Sequence, residues 1–454
     1  MDIKPQHIVE FLKPFAPIKR IVIGYSGGVD SHVLLHLCAA LPELRPRVTA
    51  VYIHHGLQAV ADDWAVHCQR TAEALGVAFM AIPVNARAGL GQSPEEAARN
   101  ARYAAFRTLI GAGDVLMFAQ HRQDQLETVL LQLFRGSGLQ GLSGMPNHIK
   151  FGAGWLLRPL LEASQQAVLD YAHTYQLQWV EDPSNLSNAY DRNFLRNSIV
   201  PLLKQRWPAL DKTVARSAGH CQEAGQWLSV IAEQQFAAVF DQARQALSIP
   251  QLLALPEPAQ RWVIRHWYGH LHLKMPSQAF MGRIFAEVIH AQASGNPQLL
   301  GQGHCLRRYR DTLYCLPMQA ESLQPADLPP AITWVDKQTP LILPDGNCLQ
   351  GAPATSGILR SVWQQADIVI QFRRGGEKIT LPKRTGSHCL KKLYQEAAIP
   401  PWQRPLMPLV YLNGQLAAVG ALWISTQFYQ AQGDCVRLLI MPRRQGGHQD
   451  GPKA

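Results

Sequence analysis

The eight cysteines of this 454-residue chain (Cys38, Cys68, Cys221, Cys305, Cys315, Cys348, Cys389 and Cys435) never come closer than ten positions. No C-x-x-C pair exists for a zinc ribbon, an iron–sulfur cluster or a redox couple, so no redox cofactor is expected. Long apolar runs are missing too: the longest, Leu416 to Ile424, has nine residues, about half of what a bilayer span requires. Met1 to Arg20 mixes Asp2, Lys4, Gln6, Glu10 and Lys13 through any apolar stretch, so no secretory signal is expected there. The expectation is a cytoplasmic protein with reduced, buried thiols and no membrane partner. Neither a Walker loop nor a dinucleotide fingerprint is present, and there are no internal repeats.

Apolar residues make up 47% and charged residues 17%, enough to build a sizeable core over about three domains. Lys and Arg number 43 against 33 Asp and Glu, a net charge of +10. That balance favours an anionic partner, usually nucleic acid, over a mildly basic enzyme with no polyanion. The excess is uneven: from Gln365 onward there are twelve Lys/Arg and five Asp/Glu. Such asymmetry points to a dedicated binding module.

The first 200 residues alternate strands with helices. Arg20 to Tyr25, Val48 to His54, Ala78 to Val84 and Val115 to Ala119 read as strands, with helices from about Ser31 to Leu41 and Trp64 to Leu75. Crossovers of this length predict an α/β fold, a doubly wound parallel sheet that binds ligands at the strands' carboxyl ends. From Asp211 to about Leu300 the helical period takes over, and Pro325, Pro329 and Pro330 mark a boundary. Short strands follow (Ile368 to Phe372, Leu409 to Leu412, Gln415 to Ile424), giving a small α+β module. The expected domains are 1–210 (catalytic), 211–335 (helical), 336–442 (basic, α+β) and a disordered tail 443–454.

After the first strand comes Ser26-Gly27-Gly28-Val29-Asp30-Ser31, then a helix. Two glycines let backbone N–H groups face an anion, and the helix N-terminus and two hydroxyls add to the attraction. An ordinary strand-to-helix turn is the alternative. A second segment, Ser93-Pro94-Glu95-Glu96, has a helix-start pattern, and the helix after it carries Arg99, Arg102, Tyr103 and Phe106 on one face. That face suits a phosphate or nucleotide, or is simply a basic surface. After the fourth strand, Asp124 and Glu127 in Gln123-Asp124-Gln125-Leu126-Glu127-Thr128 point the same way. They can hold Mg²⁺ between phosphate oxygens, take a proton from an amine, or merely cap a helix. Asp191, Arg192 and Arg196 read alone as a surface ion-pair cluster.

The S-G-G-V-D-S string resembles the pyrophosphate loop of the N-type ATP pyrophosphatases, which cleave ATP between its α and β phosphates. That resemblance assigns Ser26, Gly27, Gly28, Val29, Asp30 and Ser31 to ATP, with Asp30 helping to hold Mg²⁺. The further strings H-H-G-L, E-E-A-A-R-x-x-R-Y, D-Q-x-E-T with R-G-S-G-x-x-G-L, R-P-L-L, E-D-P-S-N and D-R-N-F-L-R follow in order. With F-R-R-G-G-E, L-K-K-L and P-P-W-x-R near the C-terminus, the chain is similar to the tRNA(Ile)-lysidine synthases from about Ile21 to Phe428.

The resemblance implies adenylation of the wobble cytidine in the CAU anticodon of tRNA(Ile), then attack by free lysine to give lysidine and AMP. It assigns catalysis to Asp30, Asp124 and Glu127, with Arg99, Arg102 and Arg192 stabilising phosphate charge and Mg²⁺ on Asp30 and Asp124. The basic C-terminal residues, with Tyr394 and Trp402 interleaved, are expected on the tRNA surface. Two departures stand out: Gln123 replaces an acid the family usually carries, and Thr385 to Cys389 replaces a Gly-Arg ahead of Leu-Lys-Lys. A tRNA thiolase and a non-catalytic ATP-binding module are the rival readings.

Overall fold

The computed structural model describes residues 3–56, 61–85, 87, 94–292, 295–318 and 327–442. The expected capping residue Ser93, Pro325 and the tail 443–454 lie outside them. The chain divides into two compact units, one up to Leu228 and one from Ser229 onward, with the division inside a long helix.

The first unit runs α1 (Pro5–Leu12), β1 (Arg20–Gly24), α2 (Val29–Ala39), β2 (Val48–His54), α3 (Ala61–Ala74), β3 (Ala78–Pro83), α4 (Pro94–Leu109), β4 (Asp114–Met117) and α5 (Arg122–Phe134). It continues with α6 (Leu139–Leu142), β5 (His148–Phe151), β6 (Gly154–Leu157), α7 (Gln165–Thr174), α8 (Asp191–Phe194), α9 (Val200–Arg206) and the start of α10 (Leu210–Val239). The sheet order is β3-β2-β1-β4-β6-β5, parallel except for the edge strand β5, which pairs antiparallel with β6.

Strand alternation divides the core in two. Ile21 and Ile23 of β1 pack with Leu34 and Leu37 of α2 and Val168 and Tyr171 of α7. Val22 joins Val51 and Leu116 against Phe106 of α4 and Ile110 just beyond it. A central strand buried on both faces is what a doubly wound sheet requires. Because the chain leaves β1 for β2 on one side and returns as β4 on the other, the crevice beyond β1 and β4 is the topological switch point.

In the second unit the helices fall where the apolar spacing puts them: the end of α10, Glu257–His270, and Gln278–Arg283 continuing as a π-turn through Ile284–Ile289. They share a core with a five-stranded antiparallel sheet that the sequence reading did not anticipate. Its centre is the hairpin His304–Tyr309 and Thr312–Pro317, with Leu306 and Leu313 turned inward. Arg307, Arg308 and Arg310 interrupt the apolar pattern there. Two more five-stranded antiparallel sheets follow, one through Ile368–Gln371, Leu409–Leu412 and Gln415–Val419, the other through Asn347–Ala354 and Cys435–Pro442. Among the described residues no helix is long and apolar enough to cross a membrane.

Gly24 closes β1 under the ring of Phe118, where an added Cβ would lie 2.4 Å from the ring edge. Phe118 is itself wedged against Phe106 and Tyr103 and has nowhere to go. Gly24→Ala is therefore expected to destabilise the protein by about 1–3 kcal/mol, the usual cost of overpacking. The denaturant midpoint should fall with an unchanged slope; an unshifted midpoint would contradict the packing described.

Candidate active site

Tyr25 extends β1 by donating its N–H to the Val51 carbonyl at 2.9 Å, and the chain then turns sharply. Gly27 makes the turn at φ +83°, a region open to glycine at no steric cost, and its carbonyl accepts from the Val180 N–H at 3.0 Å. A Cβ at Gly27 would sit 3.0 Å from the sulfur of Cys68. Gly28 caps α2, and no side chain takes up the helix's first N–H groups. Unclaimed N–H groups at the positive end of a helix make an anion site. Ser31 braces the loop: its hydroxyl donates to the Gly28 carbonyl at 2.9 Å and accepts from the Ser26 N–H at 3.2 Å. Ser31 is buried and Ser26 exposed, and their two hydroxyls lie 3.2 Å apart, so of the two expected hydroxyl donors Ser26 is the one on an exposed residue.

The second half of the site begins at the end of β4. His121 caps α5, its Nδ1 accepting from the Gln123 N–H at 3.2 Å, while Asp124 accepts from the His121 N–H at 3.0 Å. This reciprocal cap turns the imidazole's Nε2 to face two carboxylates, 3.4 Å from Asp30 and 3.6 Å from Asp124. Asp30 comes from α2 and Asp124 from α5, the helices that follow β1 and β4, so the switch point brings them together. Burial alone would lower the pKa of His121, but Asp30 and Asp124 outweigh burial and the opposing Arg196 and raise it above the ordinary histidine value. The cap pulls the other way, because the Gln123 N–H needs a lone pair on Nδ1. Asp30, with its side chain 41% exposed, is the open acid of the group.

Glu127 is wholly buried. Arg196 grips it bidentately, Nε to Oε1 at 2.7 Å and Nη2 to Oε2 at 2.8 Å, and also donates to Asp124 at 3.1 Å. Arg192 donates to the Thr128 hydroxyl at 2.8 Å, and its Nε lies 3.2 Å from Glu127 Oε2, within ion-pair reach but not aligned as a hydrogen bond. Burial works against the Arg196 charge, yet Glu127 and Asp124 more than offset it and its pKa is raised. Arg192 and Arg196 share a face because they are four apart, across the join between α8 and a π-turn at Leu195–Ile199. Single π-turns of this sort recur at functional sites. The surface ion-pair reading of this segment is thus corrected: its arginines serve a buried acid.

Arg99 and Arg102 are placed differently. Arg99 lies over the Tyr103 ring at 4.9 Å, and Arg102 lies 5.7 Å from the Phe118 ring. The network around Glu127 is built from Arg192 and Arg196 instead. Gln123 is also outside the acid group: buried, it accepts from Lys204 of α9 at 2.6 Å. The family's missing acid therefore falls at a tie between helices. The sequence reading missed His121 and Arg196 as site residues; the His-x-x-Asp capping pattern and the Arg-x-x-x-Arg spacing were the available signals.

In the second unit Lys378, Lys383, Arg384, Lys391 and Lys392 are exposed, as a polyanion surface needs. Tyr394 is not available for stacking. It is fully buried, with Arg373 over its ring at 6.0 Å. Glu377 accepts from the Arg374 and Gly375 N–H groups at 2.5 and 2.8 Å, which folds the Arg-Arg-Gly-Gly turn.

A PP-loop domain model matches residues 3–203, a TilS substrate binding domain residues 247–314, and a TilS substrate C-terminal domain residues 368–440. A tRNA(Ile)-lysidine synthase of Methylococcus capsulatus is 39% identical over 89% of this chain and 92% of its own length. One of Alkalilimnicola ehrlichii is 38% identical over 95% and 96%. Among solved structures, the U34-tRNA thiolase NcsA of Methanococcus maripaludis covers 48% of this chain and 78% of its own at 17% identity and a TM-score of 0.41, too slight a likeness to bear on function.

Removing one partner of a buried ion pair leaves an uncompensated charge, typically costing about 3–5 kcal/mol. Arg196→Met leaves Glu127, which water cannot reach, with only the misaligned Arg192 beside it, and is expected to cost about 3 kcal/mol. Glu127→Leu frees two arginines that are partly exposed and should cost less. The double variant should fall well short of the sum in urea denaturation; simple additivity would mean the pair is not coupled.

Proposed function

The chain belongs to the tRNA(Ile)-lysidine synthase family, and from that membership we propose how it uses ATP to join lysine to the wobble cytidine of a CAU-anticodon isoleucine tRNA. The product, lysidine, changes the tRNA's codon reading from methionine to isoleucine. One observation carries the residue assignments below: Asp30 and Asp124 converge on His121 beside a glycine loop whose helix N–H groups have no side-chain cap.

In this reading the backbone of Ser26 to Ser31 and the hydroxyl of the exposed Ser26 hold the β and γ phosphates. The cytidine's 2-carbonyl oxygen attacks the α-phosphorus and pyrophosphate departs, held by the loop as its charge develops. The amine of lysine, with a pKa of about 10.4 in water, must lose a proton before it attacks C2 and displaces AMP. Of the two acids expected to bind that amine and take its proton, Asp124 is the one with exposed surface, each of its oxygens accepting one hydrogen bond, while Glu127 is wholly buried with both oxygens held by Arg196. Glu127 then acts through Arg196 and Arg192, and Arg99 and Arg102 contribute positive charge from the aromatic edge of α4. Two hard carboxylate donors at neighbouring helix starts fit Mg²⁺ as the metal. Asp30 and Asp124 would hold it, and it would neutralise the departing pyrophosphate. Residues 1–210 are assigned to catalysis and 211–335 and 336–442 to tRNA binding, in the cytoplasm where the tRNA resides.

Mass spectrometry of nucleosides from the CAU-anticodon tRNA, after incubation with ATP and lysine, should detect lysidine. A sulfur-containing nucleoside, or no adduct, would overturn the assignment. Asp30→Ala should abolish pyrophosphate release while tRNA affinity stays within about twofold, because Asp30 faces the nucleotide and not the RNA-binding surface. A large loss of tRNA affinity would contradict that role. Lys391→Ala with Lys392→Ala should weaken tRNA binding and reduce the slope of log K against log salt by about 1–2, the expected effect of losing two phosphate contacts. An unchanged slope would remove this helix from the RNA surface.

A further inference from the structure

Within the second unit, a cavity of about 850 Å³ lies between Glu287, Gln292, the stretch Gly295 to Gln298, the strand residue Arg307, and Pro401–Trp402. Trp402 meets Tyr314 and Tyr309 edge-on, at ring-centroid distances of 5.3 and 6.2 Å. Over the Trp402 ring, 5.3 Å from its centre, stands the guanidinium of Arg307. Arg307 also donates to the side-chain oxygen of Gln298 at 2.7 Å. A guanidinium held both by a ring and by a hydrogen bond is a flat cationic plate set in advance.

The surroundings reinforce the charge. Arg404 donates to the Tyr309 hydroxyl at 3.0 Å, and Arg310 lies over the same ring at 5.5 Å. Glu287, the acid in the cavity wall, is matched by Arg283 through bonds of 2.6 and 3.1 Å. The indole N–H of Trp402 is buried and finds no acceptor among the described residues, an unmet donor in the wall.

Three arginines interleaved with three aromatic rings favour a ligand that is both flat and anionic. A bare phosphate has no use for the rings, and an apolar ligand has none for the charge. A nucleotide suits both, its base lying on a guanidinium plane and its phosphate drawn by the positive field. The volume falls within the usual range for one small ligand, about 300–1,000 Å³, and is far too small for a helix.

We propose that this cavity receives one unpaired nucleotide of the RNA substrate, with Arg307 as the stacking plate and Trp402 as its backing. The proposal rests on the tRNA reading above and adds a recognition point apart from the catalytic acids. A free mononucleotide has the same chemistry, so the test separates the two sources.

Binding of the full chain is measured for the tRNA transcript, a single-stranded RNA oligonucleotide and a blunt RNA duplex, each with and without AMP as competitor. Arg307→Gln is expected to weaken tRNA and oligonucleotide binding about tenfold, the usual scale of a lost stacking contact, and to leave the duplex within about twofold. The KM for tRNA should rise while kcat at saturating tRNA is unchanged. Gln298→Ala, which removes one hydrogen bond from the plate without removing its charge, should give a smaller loss with the same selectivity. Equal losses for duplex and single strand, or no loss, would overturn the proposal. So would AMP abolishing the part of the binding that depends on Arg307, which would make this a free-nucleotide site. Failure of the wild-type chain to form lysidine would refute the function proposed above, while the binding arms still report on the cavity.

Discussion

Glu127 is a carboxylate with no exposed surface, and pairing it is the constraint on which the candidate site of the first unit depends. The effective penalty for burying an ion is several kcal/mol, repaid only by a partner of good geometry. Arg196 supplies that partner through a fork of two short bonds, and Arg192 stands beside it. Meeting this demand draws the 191–199 segment across α5 and fixes Asp124 through the same guanidinium. Three acids then face two arginines, which leaves one negative charge in excess when the imidazole is neutral. The excess lies toward Asp30, the open acid, and is of the sign that attracts a cation.

The anion side is built within one turn of it. The loop after β1 offers backbone N–H groups at the start of α2, and Asp30 hangs from that same first turn. A polyphosphate and a cation can therefore be held side by side with little intervening structure. This proximity comes from topology. The sheet reverses its winding between β1 and β4, and the two helices leaving those strands deliver their first turns to one crevice.

Much of this was legible in the sequence because it is local. Strand and helix periods located β1 to β4 and the middle helices, and the Gly-Gly pair announced the turn at Gly27. What escaped was set by contacts between distant segments. His121 acquires its place only when Asp30 arrives from another helix, and Arg196 reads as a surface charge until Glu127 is seen to be buried. Tyr394 looked like a stacking ring among lysines, yet the apolar spacing of Leu390, Leu393 and Tyr394 turns it into the core. The hairpin at 304–317 was hidden by its arginines, and it is those arginines that line or flank the second unit's cavity.

The central claim is that the loop and the acid pair split ATP between its α and β phosphates, and do so for an RNA acceptor. Incubating the protein with ATP labelled in the α-phosphate, with and without tRNA and lysine, and separating the nucleotides by chromatography tests it most directly. The account predicts label in AMP, at a level that depends on the tRNA. Label in ADP would contradict it.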